Sequence, residues 1–350
     1  MKKISLILSI ALLLLTSCTS GADTSSGNSM FPESLDNSSE STGVSLDYFS
    51  SGRFTATIVE DSENIYFAKK DGIYKKKKPK NTAERIYEVK RPNSLLLYAD
   101  KLYFAISDGS DLYSTLCCIG KDGSGFLTVF NEQTHKFSWG ASNLVDYQIV
   151  NDVLYVANAA YAFSYDFKSQ KAKELIKENT VEFFQVVNDD LFYIDHANKT
   201  FTIFDLNLKT SQTKIILGKG EERPETDIYH EFLWVEDSLY FFKRMPQGLF
   251  QRKDDNETVI DDGDIRNLFS SNRQLYFVSF DLYTSYLYRY DTKIKKAIYV
   301  ATLKEFYSFG GITVVDGHAY FNSGVEVKDD GGHSLNNYDN SKPTFIELIS

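Results

Sequence analysis

Cysteine and proline are scarce in this chain of 350 residues, which holds three of the first and six of the second. Three cysteines cannot build the dense disulfide framework on which small secreted domains depend, and a chain of this length can bury a large core without one. Twenty glycines and so few prolines also exclude a collagen-like or wholly disordered chain. The composition therefore favours a globular domain stabilised by its hydrophobic core.

Positive charge is also in short supply, because 38 Lys and Arg residues face 48 Asp and Glu residues, for a formal net charge of −10. A protein that binds nucleic acid through its phosphates needs a basic patch, and no periodic basic helix is visible here. We therefore expect no nucleic-acid partner.

Sequence signatures of catalysis and metal binding are missing too. The chain holds no GxSxG, SxxK, P-loop or GxGxxG motif. No two of its five histidines have the HxxxH or HxH spacing that presents two nitrogens to one metal. We expect no metal and no cofactor, and the sequence identifies no catalytic residue.

The N-terminal segment MKKISLILSIALLLLTSC places two lysines before an apolar stretch that ends at Leu15. This stretch is too short to span the ~30 Å core of a bilayer, which needs about 20 helical residues, and is typical of a secretory signal. The letters LTSC, ending at Cys18, resemble the bacterial lipobox. The resemblance implies a lipoprotein signal peptide over 1–17 and a diacylglycerol on the Cys18 thiol, with palmitate among the acyl groups. The alternative is an ordinary secretory signal with a chance cysteine.

Residues 18–43 follow as the lipidated cysteine and a Ser-, Thr-, Gly- and Asn-rich stretch with almost no apolar side chains. Such a stretch cannot offset the entropy of ordering itself, so we expect a disordered tether. The folded domain is expected over 44–350. This arrangement predicts a protein of the cell envelope, anchored to the membrane by lipid alone, with its folded domain outside the cytoplasm.

One pattern recurs from residue 56 onward, in which a turn precedes an aliphatic–aromatic triplet and three further strand-like segments complete the unit. The triplets recur about every 42 residues, and their members are Ile65-Tyr66-Phe67, Leu102-Tyr103-Phe104, Leu154-Tyr155-Val156, Leu191-Phe192-Tyr193, Leu239-Tyr240-Phe241, Leu275-Tyr276-Phe277 and Ala319-Tyr320-Phe321. Asn, Asp and Gly in the turns tolerate the positive φ of tight hairpins.

Four strands at this period predict an all-β fold with a single β-propeller, of seven four-stranded blades, with six or eight as alternatives. The aromatic triplets would form the core between neighbouring blades. The strand-like segment 44–49 lies outside the first unit, and the seventh unit, 306–350, is irregular. We expect a strand from one terminus to complete the blade of the other, because this removes a free edge.

Units such as LYFAISDGSDLYSTLCCIGKDGSGFLTVF and LYFVSFDLYTSYLYRYDTKIKKAIYV resemble the repeats of YWTD-type propellers. These occur in low-density-lipoprotein receptors and in related bacterial families of unknown function. The similarity covers residues 50–350, with Leu-Tyr-Phe in place of Tyr-Trp-Thr-Asp. It implies a non-catalytic ring that binds a ligand.

Two local features concern the blades. Adjacent Cys117 and Cys118 would point to opposite faces of an extended strand, so we expect two separate thiols, at least one of them buried; a vicinal disulfide is the alternative. The basic run from Lys75 to Lys78, with Lys80, is expected at a solvated outer edge that blocks strand pairing, with contact to anionic lipid or wall polymer as the alternative.

Binding residues are expected on one face of the ring. The two long connections, QTHKFSWGASN and GKGEERPETDIY, emerge on the same face as the middle loops of the units, and long connections in a compact domain are often functional. The predicted ligand-binding residues are Trp139, His135, Asp108, His196, Arg223 and Arg244.

These features predict a binding or scaffold module, a monomer that recognises an envelope protein, a peptide or a glycan on one propeller face. The alternative is a glycan hydrolase or lyase whose carboxylates lie near the axis, about 5–10 Å apart across the sugar. A third possibility is an assembly factor for other envelope proteins.

Overall fold

In the computed structural model, the described residues fold as strands and turns. They are 48–49, 58–78, 82–107, 113–131, 146–158, 161–177, 181–195, 202–217, 231–244, 246–254, 256–271, 274–281, 284–304, 312–315, 318–321, 327–328, 334–335 and 345–347. The predicted signal peptide and Cys18 therefore lie outside the described residues, as does most of the tether.

Six consecutive sheets each contain four antiparallel strands in chain order, and we number them as blades 1 to 6. The strands of blades 1 to 3 are β2 (Ile58–Glu60), β3 (Asn64–Lys69), β4 (Gly72–Lys77), β5 (Ala83–Glu88), β6 (Asn93–Tyr98), β7 (Lys101–Ser107), β8 (Tyr113–Gly120), β9 (Leu127–Asn131), β10 (Tyr147–Val150), β11 (Val153–Asn158), β12 (Tyr161–Asp166) and β13 (Lys171–Lys177). The strands of blades 4 to 6 are β14 (Val181–Val187), β15 (Asp190–Asp195), β16 (Thr202–Asn207), β17 (Thr213–Leu217), β18 (Phe232–Val235), β19 (Ser238–Arg244), β20 (Gln247–Lys253), β21 (Asn256–Asp261), β22 (Asp264–Ser271), β23 (Gln274–Asp281), β24 (Thr284–Asp291) and β25 (Lys296–Lys304).

The remaining strands lie near the two ends of the chain. They are β1 (Tyr48–Phe49), β26 (Ile312–Val315), β27 (His318–Phe321), β28 (Val327–Lys328), β29 (Ser334–Leu335) and β30 (Phe345–Glu347). Strands β26, β27 and β30 form a three-stranded seventh sheet, and β28 pairs with β29. The predicted all-β propeller is confirmed, with six four-stranded blades in place of the seven that the sequence favoured; the seventh unit forms this smaller sheet.

Short turns connect the first and second strands of most blades, as the sequence predicted. Ala99, Asp100, Asn151 and Asp152 all have φ between 46° and 61°, the left-handed conformation that two-residue hairpins require. Alanine adopts it here without the local hydrogen bonds that favour Asn and Asp, so the hairpin geometry imposes this conformation.

The triplets lie on the second strands, and their alternation divides the aromatic side chains between two blade interfaces. Leu239 and Phe241 pack in a buried cluster with blade 4, whereas Tyr240 between them packs with blade 6. The third triplet residue often stacks on an aromatic residue of the third strand: the stacked pairs are Phe67–Tyr74, Tyr193–Phe204, Phe241–Phe250 and Phe277–Tyr288. The prediction that the triplets build the core between blades is confirmed for the six four-stranded blades; the side chains of Ala319-Tyr320-Phe321 lie outside the described residues.

In each of the six blades, the fourth strand contains a β-bulge that the sequence analysis missed. The extra residue is aliphatic in all six, and these residues are Ile86, Val129, Leu175, Ile216, Ile260 and Val300. A bulge sets two consecutive side chains against one partner residue and re-aims them. In blade 4, for example, Ile216 and Leu217 both pack toward blade 5. The outer strand thus fills the gap between blades where they diverge.

Glutamine side chains tie neighbouring first strands together. Gln148 donates to the carbonyl of Val186 at 3.0 Å and accepts the Val186 N–H at 2.7 Å. One blade further on, Gln185 binds Trp234 in the same way, at 2.9 and 2.6 Å. Each amide therefore satisfies a backbone donor and a backbone acceptor of the next blade. The two hydrogen bonds fix the position of one first strand along the next.

The seventh sheet closes the ring. Strand β26 contacts both β22 and β2. Val314 packs in the cluster of blades 5 and 6, while the next residue, Val315, packs in the cluster of blades 1 and 2. The Ser271 hydroxyl also donates to the carbonyl of Val314. Two successive side chains of one strand thereby join the first and the last four-stranded blades.

The terminal strands differ from the expectation. Strand β1 pairs with β22, with Tyr48 opposite Ser271, and so extends blade 6 on its inner side. The seventh sheet instead takes its third strand, β30, from its own end of the chain. Strand β1 pairs with the free edge of β22, the first strand of blade 6, and not with the seventh sheet. These residues therefore do not adopt the exchange of terminal strands that we expected.

The cysteine pair and the start of the lysine run lie on strands of the first two blades. Cys117 and Cys118 are buried, free thiols, which confirms the prediction, and burial raises the pKa of Cys117 to about 12. The run from Lys75 to Lys78 does not lie at an outer edge, because β4 is the third of four strands and β5 pairs along its outer side. Instead, Lys78 forms an ion pair with the buried Glu60. Lys80 lies outside the described residues.

Candidate functional site

The alternation of strand direction gives the ring two unlike faces. We call the face that carries the first-to-second and third-to-fourth connections of each blade the tight-turn face. The opposite face, which carries the second-to-third connections and those between blades, is the long-connection face. In blade 5, for instance, Val235 and Ser238 flank a tight turn, while β19 ends at Arg244 on the other face.

Lysine–aspartate pairs brace the tight-turn face. Within blade 4, Lys209 of the second turn lies 2.6 Å from Asp189 of the first turn, and Lys253 pairs with Asp237 in the same way in blade 5. Each of these exposed pairs contributes little stability on its own. In blades 4 and 5 a lysine of the second turn thus bridges to an aspartate of the first turn.

Asp61 lies at the centre of a charged cluster on this face. Burial acts to raise its pKa, but the N–H groups of Glu63 and Asn64 and the Lys121 ammonium outweigh burial and lower the pKa to about 2. Lys121 lies 3.2 Å from Asp61 in blade 1 and 2.7 Å from Asp100 in its own blade. This ion triad therefore links the two blades.

The long-connection face receives the two longest blade-to-blade connections. Strand β9 ends at Asn131 and the next blade begins at Tyr147, while β17 ends at Leu217 and β18 begins at Phe232. The strands thus deliver both segments to the same face, as the sequence predicted. Between blades 1 and 2, by contrast, only 89–92 connect β5 to β6.

The predicted binding residues belong to segments that start from this face. Trp139, His135, Asp108, His196 and Arg223 lie outside the described residues. Arg244 is the last residue of β19 and pairs with Gln247 across a short turn, and nothing is described of its side chain. The strand ends place the segments on one face, and the proximity of the six side chains stays a prediction.

Two lysines that sequence reasoning missed lie on the long-connection side of blades 1 and 5. Lys69 lies 4.6 Å from the ring centre of Tyr74, and Lys243 lies 4.6 Å from that of Phe250. Both stand two residues after the triplet, opposite a glycine. Aromatic rings attract such cations. A lysine two residues after the triplet was therefore the sequence signal that could have predicted these cation–aromatic contacts.

In the described ranges, no group of three or more His, Cys, Asp or Glu residues is placed to hold a metal ion. The same part of the chain has no helix long and apolar enough to cross a membrane.

Comparisons with known proteins define the fold class. PorZ, a surface component of the type-IX secretion system of Porphyromonas gingivalis, superposes with a TM-score of 0.52 at 13% identity, over 80% of this chain and 37% of PorZ. The CNH domain of AfRom2 gives 0.50 at 11%, over 81% and 94%. A prolyl endopeptidase gives 0.51 at 9%, over 79% and 47%. These similarities show a shared β-propeller architecture.

No protein-family model and no curated protein matches the chain. The more specific resemblance to YWTD-type repeats therefore stays a prediction. The chain spans little more than a third of PorZ, so nothing of the activity of PorZ as a whole follows from the superposition.

Proposed function

We propose that this protein is a binding or scaffold module of the cell envelope, anchored by lipid on Cys18, with its propeller outside the cytoplasm. The observation that carries the proposal is the inequality of the two faces. Short turns braced by ion pairs cover one face, and the longest connections start from the other. Recognition of an envelope protein, a peptide or a glycan belongs on the long-connection face.

The rigidity of the ring suits such a role. The Gln148 and Gln185 amides lock the height of neighbouring blades, and β26 closes the ring. A platform that does not deform lowers the entropy that its loops lose on binding. Loops on a rigid scaffold are also the usual position of binding residues.

The fold is compatible with work at a cell surface, because PorZ, which shares it, is described as an essential surface component of a secretion system. The lipobox-like letters before Cys18 and the absence of charge from the preceding apolar stretch support the anchor. No observation in the described residues favours the alternative of a glycan hydrolase or lyase, and we do not propose it.

A pull-down from native envelopes tests the proposed face. The full-length protein, extracted in detergent, serves as bait beside Trp139→Ala and Arg223→Ala. Truncation of an aromatic anchor at an interface hot spot costs about 2 kcal/mol or more, so Trp139→Ala should lose most of the captured partner. Lys253→Ala, on the tight-turn face, is the matched control and should retain it.

The proposed face is wrong if Lys253→Ala loses the partner while Trp139→Ala retains it. All variants must first melt at the parent temperature. The anchor is tested separately by labelling with a fatty-acid analogue: Cys18→Ser should abolish the label, and an undiminished label would contradict lipidation.

A further inference from the structure

A cavity of about 170 Å³ opens on the tight-turn face between blades 5 and 6. Its wall combines the first turn of blade 5 with the inner strands and second turn of blade 6. The lining residues are Val235, Glu236, Ser270, Gln274, Leu275, Tyr290, Asp291, Thr292 and Lys293. The cavity lies on the opposite face from the proposed partner surface, so an inference about it is independent of that proposal.

Tyr290 is the residue that requires explanation. It is 4% exposed and packs edge-on against Tyr240, with 5.9 Å between ring centres. The Tyr240 hydroxyl receives a hydrogen bond from Gln251 at 3.2 Å. The Tyr290 hydroxyl has no protein hydrogen-bond partner in the described part of the chain. Because Tyr290 lines the cavity, its hydroxyl is open to the cavity and not sealed in the core. A tyrosine hydroxyl normally finds a hydrogen-bond partner, and solvent or a ligand in the cavity is the partner available to it.

Two acidic side chains at the cavity stand on turns that are already fixed. The Trp234 indole N–H donates to the carbonyl of Glu236 at 3.2 Å, which holds the turn in its left-handed conformation. One oxygen of Asp291 accepts the N–H groups of Lys293 and Ile294, at 3.0 and 3.1 Å. The wall is thus preorganised before any ligand enters, which lowers the entropic cost of binding.

The polar groups of the cavity wall include both hydrogen-bond donors and hydrogen-bond acceptors. Glu236 and Asp291 supply acceptors, Lys293 supplies a donor, and the Gln274 amide offers one of each. Burial and the nearby Asp291 raise the pKa of Tyr290, so its hydroxyl keeps its proton at neutral pH. An ammonium group only donates and a phosphate only accepts, whereas each hydroxyl of a sugar does both. Val235 and Leu275 offer apolar contact to the C–H face of a ring.

We propose that the cavity between blades 5 and 6 binds one ring of a neutral, hydroxyl-rich ligand, a monosaccharide unit, with the Tyr290 hydroxyl as its innermost hydrogen-bond partner. The volume suits a single ring and excludes a longer buried oligosaccharide. The remainder of a glycan chain would extend over the exposed turns of the two blades.

The site does not repeat around the ring, and this supplies a control. The residues that pair with the first triplet residue, as Tyr290 pairs with Leu275, are Lys76, Ile119, Tyr165, Leu206 and Arg252 in the other five blades. Only Tyr165 in blade 3 is also a tyrosine, and it packs edge-on against Phe130 and Phe167. Tyr165→Phe therefore removes the same atom at the same position, away from the cavity.

Ligand-observed NMR on the full-length protein tests the proposal. The probes are D-glucose, D-galactose and N-acetyl-D-glucosamine, with methylamine and inorganic phosphate as charged comparators. At least one sugar should bind. Tyr290→Phe, which keeps the ring packing on Tyr240, should weaken that sugar by about three- to tenfold, the effect of one hydrogen bond. Glu236→Gln should weaken it too, while Tyr165→Phe should bind as the parent does.

Three results would overturn the proposal. The first is that no sugar of the panel binds at concentrations up to those at which NMR detects weak ligands. The second is that a sugar binds Tyr290→Phe and Tyr165→Phe equally well. The third is that methylamine or phosphate binds at the cavity and the sugars do not, which would assign it to a charged ligand.

Discussion

The six four-stranded blades and the seventh sheet are built by different means. Each four-stranded blade is a run of three hairpins, so every strand pairs with its neighbour in the sequence. As far as the described residues of the seventh sheet go, it has one such hairpin, and its third strand, β30, comes from beyond the separate pair β28–β29. Local turns are sufficient to form a blade, whereas closing the ring requires contacts between residues far apart in the chain.

The two regions also differ in what holds them. Blades 4 and 5 share eight buried side chains, including Phe192, Phe232 and Phe250. The seventh sheet joins its neighbours through Val314 and Val315 and the Ser271 hydrogen bond. If both sets of contacts hold the ring together, a substitution inside a blade interface and a substitution at the closure should each lower the free energy of unfolding of the whole ring.

The largest effect is expected inside a blade interface. Tyr240→Ala removes a side chain that is 2% exposed, together with its hydrogen bond to Gln251. We expect the free energy of unfolding to fall by about 3–5 kcal/mol, measured by urea titration. Thr258→Ala, an exposed residue of the same blade opposite Gln251, should change it by less than about 0.5 kcal/mol. An unmoved transition in Tyr240→Ala would mean that the triplet does not stabilise the interface.

The next effect concerns the glutamine ties between first strands. Gln185→Ala leaves the N–H and carbonyl of Trp234 without their partner in a buried interface. Each unsatisfied buried group costs about 1–3 kcal/mol, so we expect a loss of about 2–4 kcal/mol. Gln212→Ala, which truncates an exposed glutamine of the same blade, is the control. Equal stability of the two variants would show that the tie is replaceable by water.

A matched pair of valines compares the closure directly with a blade. Val186 in blade 4 and Val315 in the seventh sheet are both fully buried. Val186→Ala and Val315→Ala should each lower the free energy of unfolding by about 1.5–3 kcal/mol, from lost apolar burial and the resulting cavity. If Val315→Ala costs much less than Val186→Ala in the same thermal or urea assay, the closure is weaker than the blades.

The smallest effect concerns acid stability at the turn of blade 1. The pKa of Asp61 lies below its unfolded value of 3.8, at about 2, so its ionised form stabilises the fold above pH 4. That stability, about 2 kcal/mol at most, disappears as the pH falls from about 5 to 2. Asp61→Asn should lower stability at pH 7 and flatten the loss below pH 5. Asp100→Asn, whose side chain is 90% exposed, should keep the parent profile.

Sequence reasoning recovered the repeat and its strands because the signals are local. The Leu-Tyr-Phe triplets mark the second strands, and the turn at Ala99-Asp100 adopts the expected positive φ. The aliphatic dipeptides of the outer strands, such as Ile216-Leu217, were also in the sequence. They were missed because a bulge changes the alternation of faces that strand prediction assumes.

The candidate sites were less accessible from the sequence. Long connections directed attention to Trp139 and its face, and the strand ends Asn131 and Leu217 support that face. The cavity beside Tyr290 gave no sequence signal, because its wall combines residues of two blades. Glu236 and Asp291 look like ordinary turn residues until the two blades pack together.

The sequence by itself determined the all-β class, the unit of four strands and the turns, because hydrophobic alternation and turn chemistry act between residues close in the chain. Only the tertiary structure decided the pairing of β1 with blade 6, the closure through Val314 and Val315, and the position of Tyr290 at a cavity. These depend on how the blades pack around the ring, and contacts between distant residues leave no periodic trace in one sequence.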